Sequence, residues 1–319
     1  FGYADPLNGL AFSGGLAPES AWFNVGGGAW TNWSVSSGIP WVDGSTFTIS
    51  ARALNAVGTW SVPYASATFV FDSSAPVSGV ALPQTGAVIN TLTALSGTIA
   101  DQPLANPSSL ADLSLRMKRL SDNKYWPGTQ GAPWNAGVTT LGAGYADLFL
   151  SSWSFIASHL PLPSDLNSGT SYYVTVAGSD GALGGGNTEA FDSPRGSTFT
   201  WDVTSPQTSV VHPLSGGYRN AVSSFGGTGY DYVVISTVQL SLRDAALSAP
   251  NCYDPSANNF TAACPNWFGS YGSTRDWTFS FAATPFTQAH FYVLSSSAQD
   301  KAGNWQSALS SAGFTYDVQ

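Results

Sequence analysis

Residues able to carry chemistry are few and scattered along this chain. It holds three histidines (His159, His212 and His290), two cysteines (Cys252 and Cys264), and glutamate only at Glu19 and Glu189. Hydrolysis by paired carboxylates would therefore have to rely on aspartate. No His-x-x-x-His or Cys-rich spacing supplies a structural metal set, and no Gly-x-Ser-x-Gly elbow marks an acyl-transfer nucleophile. The runs Gly26-Gly-Gly28 and Gly184-Gly-Gly186 lack the lysine and the following helix of a phosphate-binding loop. The expectation is a protein that is not an enzyme, with no catalytic or cofactor-binding residues.

Two features keep a chemical meaning. Cys252 and Cys264 are 12 positions apart, and the segment between them, with Asp254, Pro255, Asn258 and Asn259, reads as a surface loop. No third or fourth ligand lies nearby, so a disulfide closing that loop in an exported protein is expected over a metal or redox site. Asp101, Asp180, Asp231 and Asp300 lie at strand ends or turns, where hard oxygen ligands for calcium could stiffen a linker. Apart from a lone Asp165-Leu-Asn167, the linear spacing shows no close acidic cluster. Turn formation accounts for these aspartates more simply, so no cofactor is expected and calcium stands as the minor alternative.

The elements that hold these residues follow from composition. Of 319 residues 43% are apolar, as in a globular protein, but only 9% are charged, against about 25% in typical soluble domains. Gly, Ser, Thr, Asn and aromatics replace the missing charge and favour strands and turns, and scarce Glu and Lys exclude a helical bundle. A net charge of −9 argues against a nucleic-acid partner. No apolar stretch reaches the roughly 20 residues of a membrane helix, so no membrane insertion is expected.

Repetition organises the chain. A strand phrase with alternating aromatics occurs three times, as Thr68-Phe-Val-Phe-Asp72, Thr198-Phe-Thr-Trp-Asp202 and Gly313-Phe-Thr-Tyr-Asp317. The first two continue into Ser73-Ser-Ala-Pro76 and Val203-Thr-Ser-Pro206. Proline cannot donate to a ladder and disfavours helix before it, so Asp72–Pro76 and Asp202–Pro206 read as short stiff linkers, with the aspartates capping the turn into them. Central strands Phe47–Ala53, Tyr172–Gly178 and Tyr292–Ala298 recur in register, each running into a glycine turn. Tryptophan strands carry Trp33, Trp153 and Trp277, and these residues are expected to plug the cores. An early strand, Leu95-Ser-Gly-Thr, matches Phe225-Gly-Gly-Thr.

These repeats divide the chain into 1–72, 73–202 and 203–319. Each complete unit has about seven alternating strands, the pattern of an immunoglobulin-like sandwich. The expected fold class is all-β, with tandem immunoglobulin-like β-sandwich domains in an extended row. Leu10-Ala-Phe-Ser-Gly14 aligns with Lys124-Tyr-Trp-Pro-Gly128, which puts the third strand of the first unit at about Phe1–Tyr3 and leaves that unit partial, without its first two strands. Both ends read as cut from a longer array. The phrases Phe71-Asp-Ser-Ser-Ala-Pro76, Leu95-Ser-Gly-Thr, Trp153-Ser-Phe and Ala298-Gln-Asp-Lys-Ala-Gly-Asn304 resemble bacterial Ig-like tandem repeats. The resemblance covers essentially the whole chain and implies a large exported surface or filament protein; its motifs specify a fold and a linker, not an activity. Gly181–Asn187 and the Cys252–Cys264 insertion depart from the pattern by lengthening surface loops.

Three functions compete. The leading one is a non-catalytic structural segment of an extracellular or cell-surface bacterial fibre, stalk or filament. Its partners would be neighbouring Ig-like domains and identical chains in a filament. The second is a glycan-binding adhesin module using loop aromatics such as Trp60, Trp126, Trp134, Trp267 or Trp305. The third is an accessory region of a secreted hydrolase.

Overall fold

The computed structural model describes residues 41–319 apart from positions 52, 54, 56, 63, 64, 192, 273 and 274. Trp33, the strand expected at Phe1–Tyr3 and the strands thought missing from the first unit all lie outside the described residues. Of the first unit the structure describes an antiparallel hairpin, β1 (Thr46–Ala51) and β2 (Ala65–Val70), with Phe47 opposite Phe69. Trp41 meets the fully buried Phe47 edge-on at 4.9 Å and stacks on Phe71 at 6.0 Å.

The next stretch forms β3 (Val77–Leu82), β4 (Ala87–Ile89), β5 (Ser96–Ala100), β6 (Leu110–Arg119), β7 (Lys124–Tyr125), β8 (Ala146–Leu148), β9 (Ser152–Phe155), β10 (Thr170–Asp180) and β11 (Ser197–Trp201). They build two sheets, β3-β5-β9-β8 and β4-β11-β10-β6-β7, antiparallel except where β4 runs parallel to β11. The inward side chains follow from period-2 alternation. On β6, Leu113, Leu115 and Met117 are buried while Ser114, Arg116 and Lys118 turn outward.

The remainder repeats this plan with β12 (Gln207–His212), β13 (Gly217–Arg219), β14 (Ser224–Tyr230), β15 (Ile235–Asp244), β16 (Cys252–Asp254), β17 (Asn259–Ala262), β18 (Phe268–Gly269), β19 (Tyr271–Gly272), β20 (Asp276–Ser280), β21 (Phe291–Asp300) and β22 (Ser310–Tyr316). The sheets are β12-β14-β20-β19 and β13-β22-β21-β15-β16-β17, with β13 again parallel to its neighbour β22. In chain order the second unit pairs first, second, fifth and fourth strands against third, sixth and seventh, once β3–β4 is counted as one split strand and the two-residue β7 as an extension of the sheet edge. That is the immunoglobulin-like arrangement. A second hallmark of that fold occurs in both units. Tyr172, near the start of β10, accepts a hydrogen bond on its hydroxyl from Asn167 N at 2.7 Å, and Tyr292 accepts one from Thr287 N at 2.8 Å. Each is a tyrosine corner, bonding back a few residues upstream.

Tryptophan and glycine share one solution in both sandwiches. Trp153 on β9 and Trp277 on β20 are each 1% exposed. The Trp153 indole donates to Gly79 O at 3.0 Å, reaching past Gly97 of the intervening β5. A Cβ on Gly97 would stand 1.8 Å from Gly79 O and 2.7 Å from Trp153 Nε1. Gly227 is crowded in the same way by Trp277 and Ser209 O, at 2.2 and 2.1 Å, although the Trp277 indole donates to Thr228 O at 3.2 Å.

The cysteine insertion differs from the surface loop expected. Cys252 and Cys264 are bonded, with Cα atoms 5.2 Å apart, but the intervening chain is the hairpin β16–β17, which adds to the edge of β15. Tyr253 and Phe260 from this excursion, with Phe268 just beyond it on β18, are buried and join the core of Phe225, Trp277 and Tyr292. Two aromatics that a bare loop would leave in water are thus packed, and the disulfide fixes the excursion that carries them.

Candidate functional site at the domain junctions

The linkers are where side chains from separate elements converge. At the first junction Asp72, Asp101 and Asp180 bring carboxylate oxygens within 4.8 Å of one another, and at the second Asp202, Asp231 and Asp300 do the same. The sequence positions explain how. Asp72 and Asp202 open the linkers, Asp101 and Asp231 immediately follow β5 and β14, and Asp180 and Asp300 end β10 and β21. Three loci far apart in the chain meet at the head of each sandwich. The expectation that no close acidic cluster exists is corrected here: linear spacing hid two of them.

Local hydrogen bonds hold each carboxylate in place. Asp202 Oδ1 accepts from Thr204 N at 3.0 Å and from Ser168 Oγ at 3.1 Å; Asp72 Oδ1 accepts from Ser74 N at 3.2 Å. The bonds to Ser74 N and Thr204 N are the turn caps expected from sequence; Asp72 Oδ2 also accepts from Ser108 N at 3.2 Å, whereas Asp202 Oδ2 has no partner. Asp300 accepts from Asn304 N at 2.8 Å and, on its other oxygen, from Asn304 Nδ2 at 2.7 Å. The same Asn304 amide donates to the linker carbonyl Asp202 O at 2.9 Å. Asn187 repeats the arrangement, donating to Asp180 Oδ2 at 2.9 Å and to Asp72 O at 3.3 Å. Asn187 and Asn304 were not singled out as site residues, although they close the quoted phrases Gly181–Asn187 and Asp300–Asn304.

Burial sets the electrostatics. Asp202 is 0% exposed, Asp300 2% and Asp180 3%. Burial pushes the Asp231 carboxyl above its ordinary value, and the charges of Asp202 and Asp300 push the same way; Asp101 is raised by burial, aided by Asp180 and Asp72. Among the described residues, only three buried side-chain polar atoms lack a hydrogen-bond partner, and two of them, Asp202 Oδ2 and Asp231 Oδ1, belong to this one triad. Three mutually repelling carboxylates with free oxygens can hold a hard cation or retain a proton.

The first unit provides an internal comparison. Asn55 occupies the place of Asp300, and its Oδ1 accepts from Val57 N at 3.1 Å and Thr59 N at 2.9 Å. Asn55 N donates to Thr59 O at 3.0 Å just as Asp300 N donates to Asn304 O at 3.1 Å. The turn therefore forms on a neutral amide. Its geometry does not call for the carboxylates of Asp180 and Asp300.

No family model and no curated protein matches the chain. It is similar to solved structures of tandem β domains. The fibronectin(III)-like modules of Clostridium thermocellum CbhA share 9% identity at a TM-score of 0.34, covering 76% of this chain and 94% of that one. Three domains of titin share 12% identity at 0.36, covering 86% and 73%, and the FN1–FN3 domains of chicken CNTN1 share 12% at 0.35, covering 86% and 77%. The sheet order and the tyrosine corners, not these likenesses, define the fold.

The other residues singled out from sequence serve packing. Pro76 and Pro206 are buried, and Pro76 lies beside Gly178 of β10. Trp126, expected among the loop aromatics of a glycan-binding module, is instead 0% exposed, in the core, with its indole donating to His159 O at 2.9 Å. Trp134 packs against Trp126 and Tyr172 and donates to Asp165 O at 2.9 Å. Trp60 and Trp305 are 38% and 45% exposed on equivalent turns. Glu189 is buried and joins the two sheets, accepting from Ser78 N at 3.0 Å and Gly178 N at 2.7 Å; Gln306 takes its place in the third unit, accepting from Ala298 N at 3.2 Å. His290 pairs with the buried Asp244 at 2.7 Å. Among the described residues no helix is long and apolar enough to cross a membrane.

Proposed function

We propose that this chain is a non-catalytic structural repeat segment of an extracellular or cell-surface bacterial fibre, stalk or filament, in which sandwich units are held in an extended row. The observation that carries the reading is that both junctions repeat one design. The preceding unit captures the start of the linker: Asp43 accepts from Ser73 N at 2.7 Å, and Ser168 Oγ accepts from Val203 N at 3.1 Å. The following unit captures the linker aspartate and its carbonyl, as described above. Loop packing adds to this. Gly44 leaves room for Pro103, and Asn106 Nδ2 donates to Gly44 O at 2.7 Å; at the second junction Gly169 leaves room for Tyr232. Units tied to their neighbours on both sides of a short linker build length. The glycan-binding reading loses Trp126 to the core and part of Trp134 to packing against it.

Small-angle scattering of the isolated chain tests the row. A single compact body of 319 residues has a radius of gyration of about 20 Å, and a row of units gives a value well above that. A radius near 20 Å would overturn the reading.

A further inference from the structure

We infer that the second junction is a calcium site, formed by Asp202, Asp231 and Asp300, and that Asp72, Asp101 and Asp180, the same three positions at the first linker, repeat it with their oxygens already hydrogen-bonded. Two observations carry this independently of the acidity. Asp202 is wholly buried and its Oδ2 bonds to nothing, and Asp231 Oδ1 in the same triad is likewise buried and unpartnered. A buried unpartnered carboxylate oxygen costs far more than a solvated one unless a cation or proton meets it. The second observation is Asn55, which makes the same turn without a carboxylate and so removes turn formation as the reason for Asp180 and Asp300.

The chemistry selects the ion. All donors are oxygens and no sulfur or imidazole joins either group, which suits a hard cation over zinc or copper. Calcium–oxygen bonds of about 2.4 Å put adjacent ligands about 3.4 Å apart and opposite ligands about 4.8 Å apart; the three oxygens of each triad all fall within 4.8 Å. Three carboxylates offer up to six oxygens. Those already accepting a hydrogen bond keep a second lone pair for a metal, and water completes the shell. Magnesium demands a tighter, near-ideal octahedron, which a set drawn from a linker and two strand ends does not impose. Because one ligand comes from the linker and two from the following sandwich, a bound ion staples the linker to that sandwich.

The site stands on junction geometry, and its test is separate from scattering. The full chain, freed of metal by chelator, is titrated with calcium chloride by calorimetry and melted with and without 5 mM calcium, a concentration on the order of that needed by weak extracellular sites. The expected result is two ions per chain and a rise in Tm of about 5 °C or more. Asp231→Asn and Asp101→Asn each remove one ion, and the double variant removes both. In chelator these variants melt at or above the parent, because one of three repelling charges is gone, while in calcium they melt below it. A purely structural aspartate would lower Tm in both conditions. No calcium heat for the parent, or a calcium-induced Tm rise that survives in the double variant, overturns the proposal.

Discussion

Replacing Gly97 with alanine tests the packing logic of the sandwich most sharply. Gly97 sits on β5 between β3 and β9, opposite the bulge that interrupts the β3–β5 pairing between Val80 and Leu82. Its backbone does not occupy the left-handed region, so conformational freedom is not the issue. Space is. The added methyl would lie 1.8 Å from a backbone oxygen and 2.7 Å from the Trp153 indole nitrogen, and neither is the free end of a flexible chain. Relief requires β3 to move and the Trp153 to Gly79 hydrogen bond of 3.0 Å to break. Overpacking costs about 1–3 kcal/mol and stranding a buried indole N–H adds about 1–3 kcal/mol, so a loss of about 2–6 kcal/mol is expected. Gly79→Ala is the matched control. Its Cβ would meet only Thr98 Oγ1 at 3.7 Å, an ordinary contact, and alanine in a strand is neutral or slightly favourable relative to glycine. Urea denaturation followed by tryptophan fluorescence measures both. Equal stability of Gly97→Ala and Gly79→Ala would refute the reasoning.

Two further perturbations probe the cysteine excursion and an exposed ion pair. Replacing Cys252 and Cys264 together with serine opens a loop of 12 residues and should cost about 3 kcal/mol, with calorimetry showing a lowered transition for the third unit and an unchanged one for the second; an unmoved third transition contradicts this. Hydrogen bonds from Arg119 hold the exposed Asp122 carboxyl down to about 2 from an ordinary 3.8, so its contribution is present above pH 3.8 and fades as pH falls through about 2. Melting curves of the parent and Asp122→Asn should therefore differ by a constant amount above about pH 5 and converge by about pH 1, and a gap that persists undiminished at about pH 1 argues against the pairing.

How much of this was legible depended on whether a feature is local. Alternation on β6 and β10 is written in consecutive residues, and so are the aromatic phrase ending in Asp72 or Asp202 and the tryptophan beside it. The glycine of Leu95-Ser-Gly-Thr was visible as a repeated letter, but its reason was not, since Gly79, Gly97 and Trp153 come from three strands. Burial of the aromatics between the cysteines was hidden because Asp254, Pro255 and Asn258 speak for a loop, and the pairing of β16 with β15 overrides that local preference. Trp126 misled for the converse reason: flanked by Tyr125 and Pro127 it reads as a loop residue, yet β7 pairs with β6 at Lys118 and Arg119 and the indole enters the core.

The carboxylate triads show why an acidic site made by topology escapes a spacing search. Metal motifs that can be read from sequence place ligands within one loop or one helix, so that the chain itself sets the geometry. Here the sheets set it. Asp101 and Asp180 stand at the ends of inner strands of opposite sheets, and Asp72 arrives because the linker must enter the sandwich beside them. Repetition was the one available signal, because Asp202, Asp231 and Asp300 recur in the same order as Asp72, Asp101 and Asp180. A turn-forming aspartate and a converging one look identical in a single sequence. The first unit separates them: Asn55 forms the turn with a neutral amide, so turn chemistry tolerates amide or acid, and an acid kept at both junctions, where charges oppose one another under burial, answers to something the turn does not need.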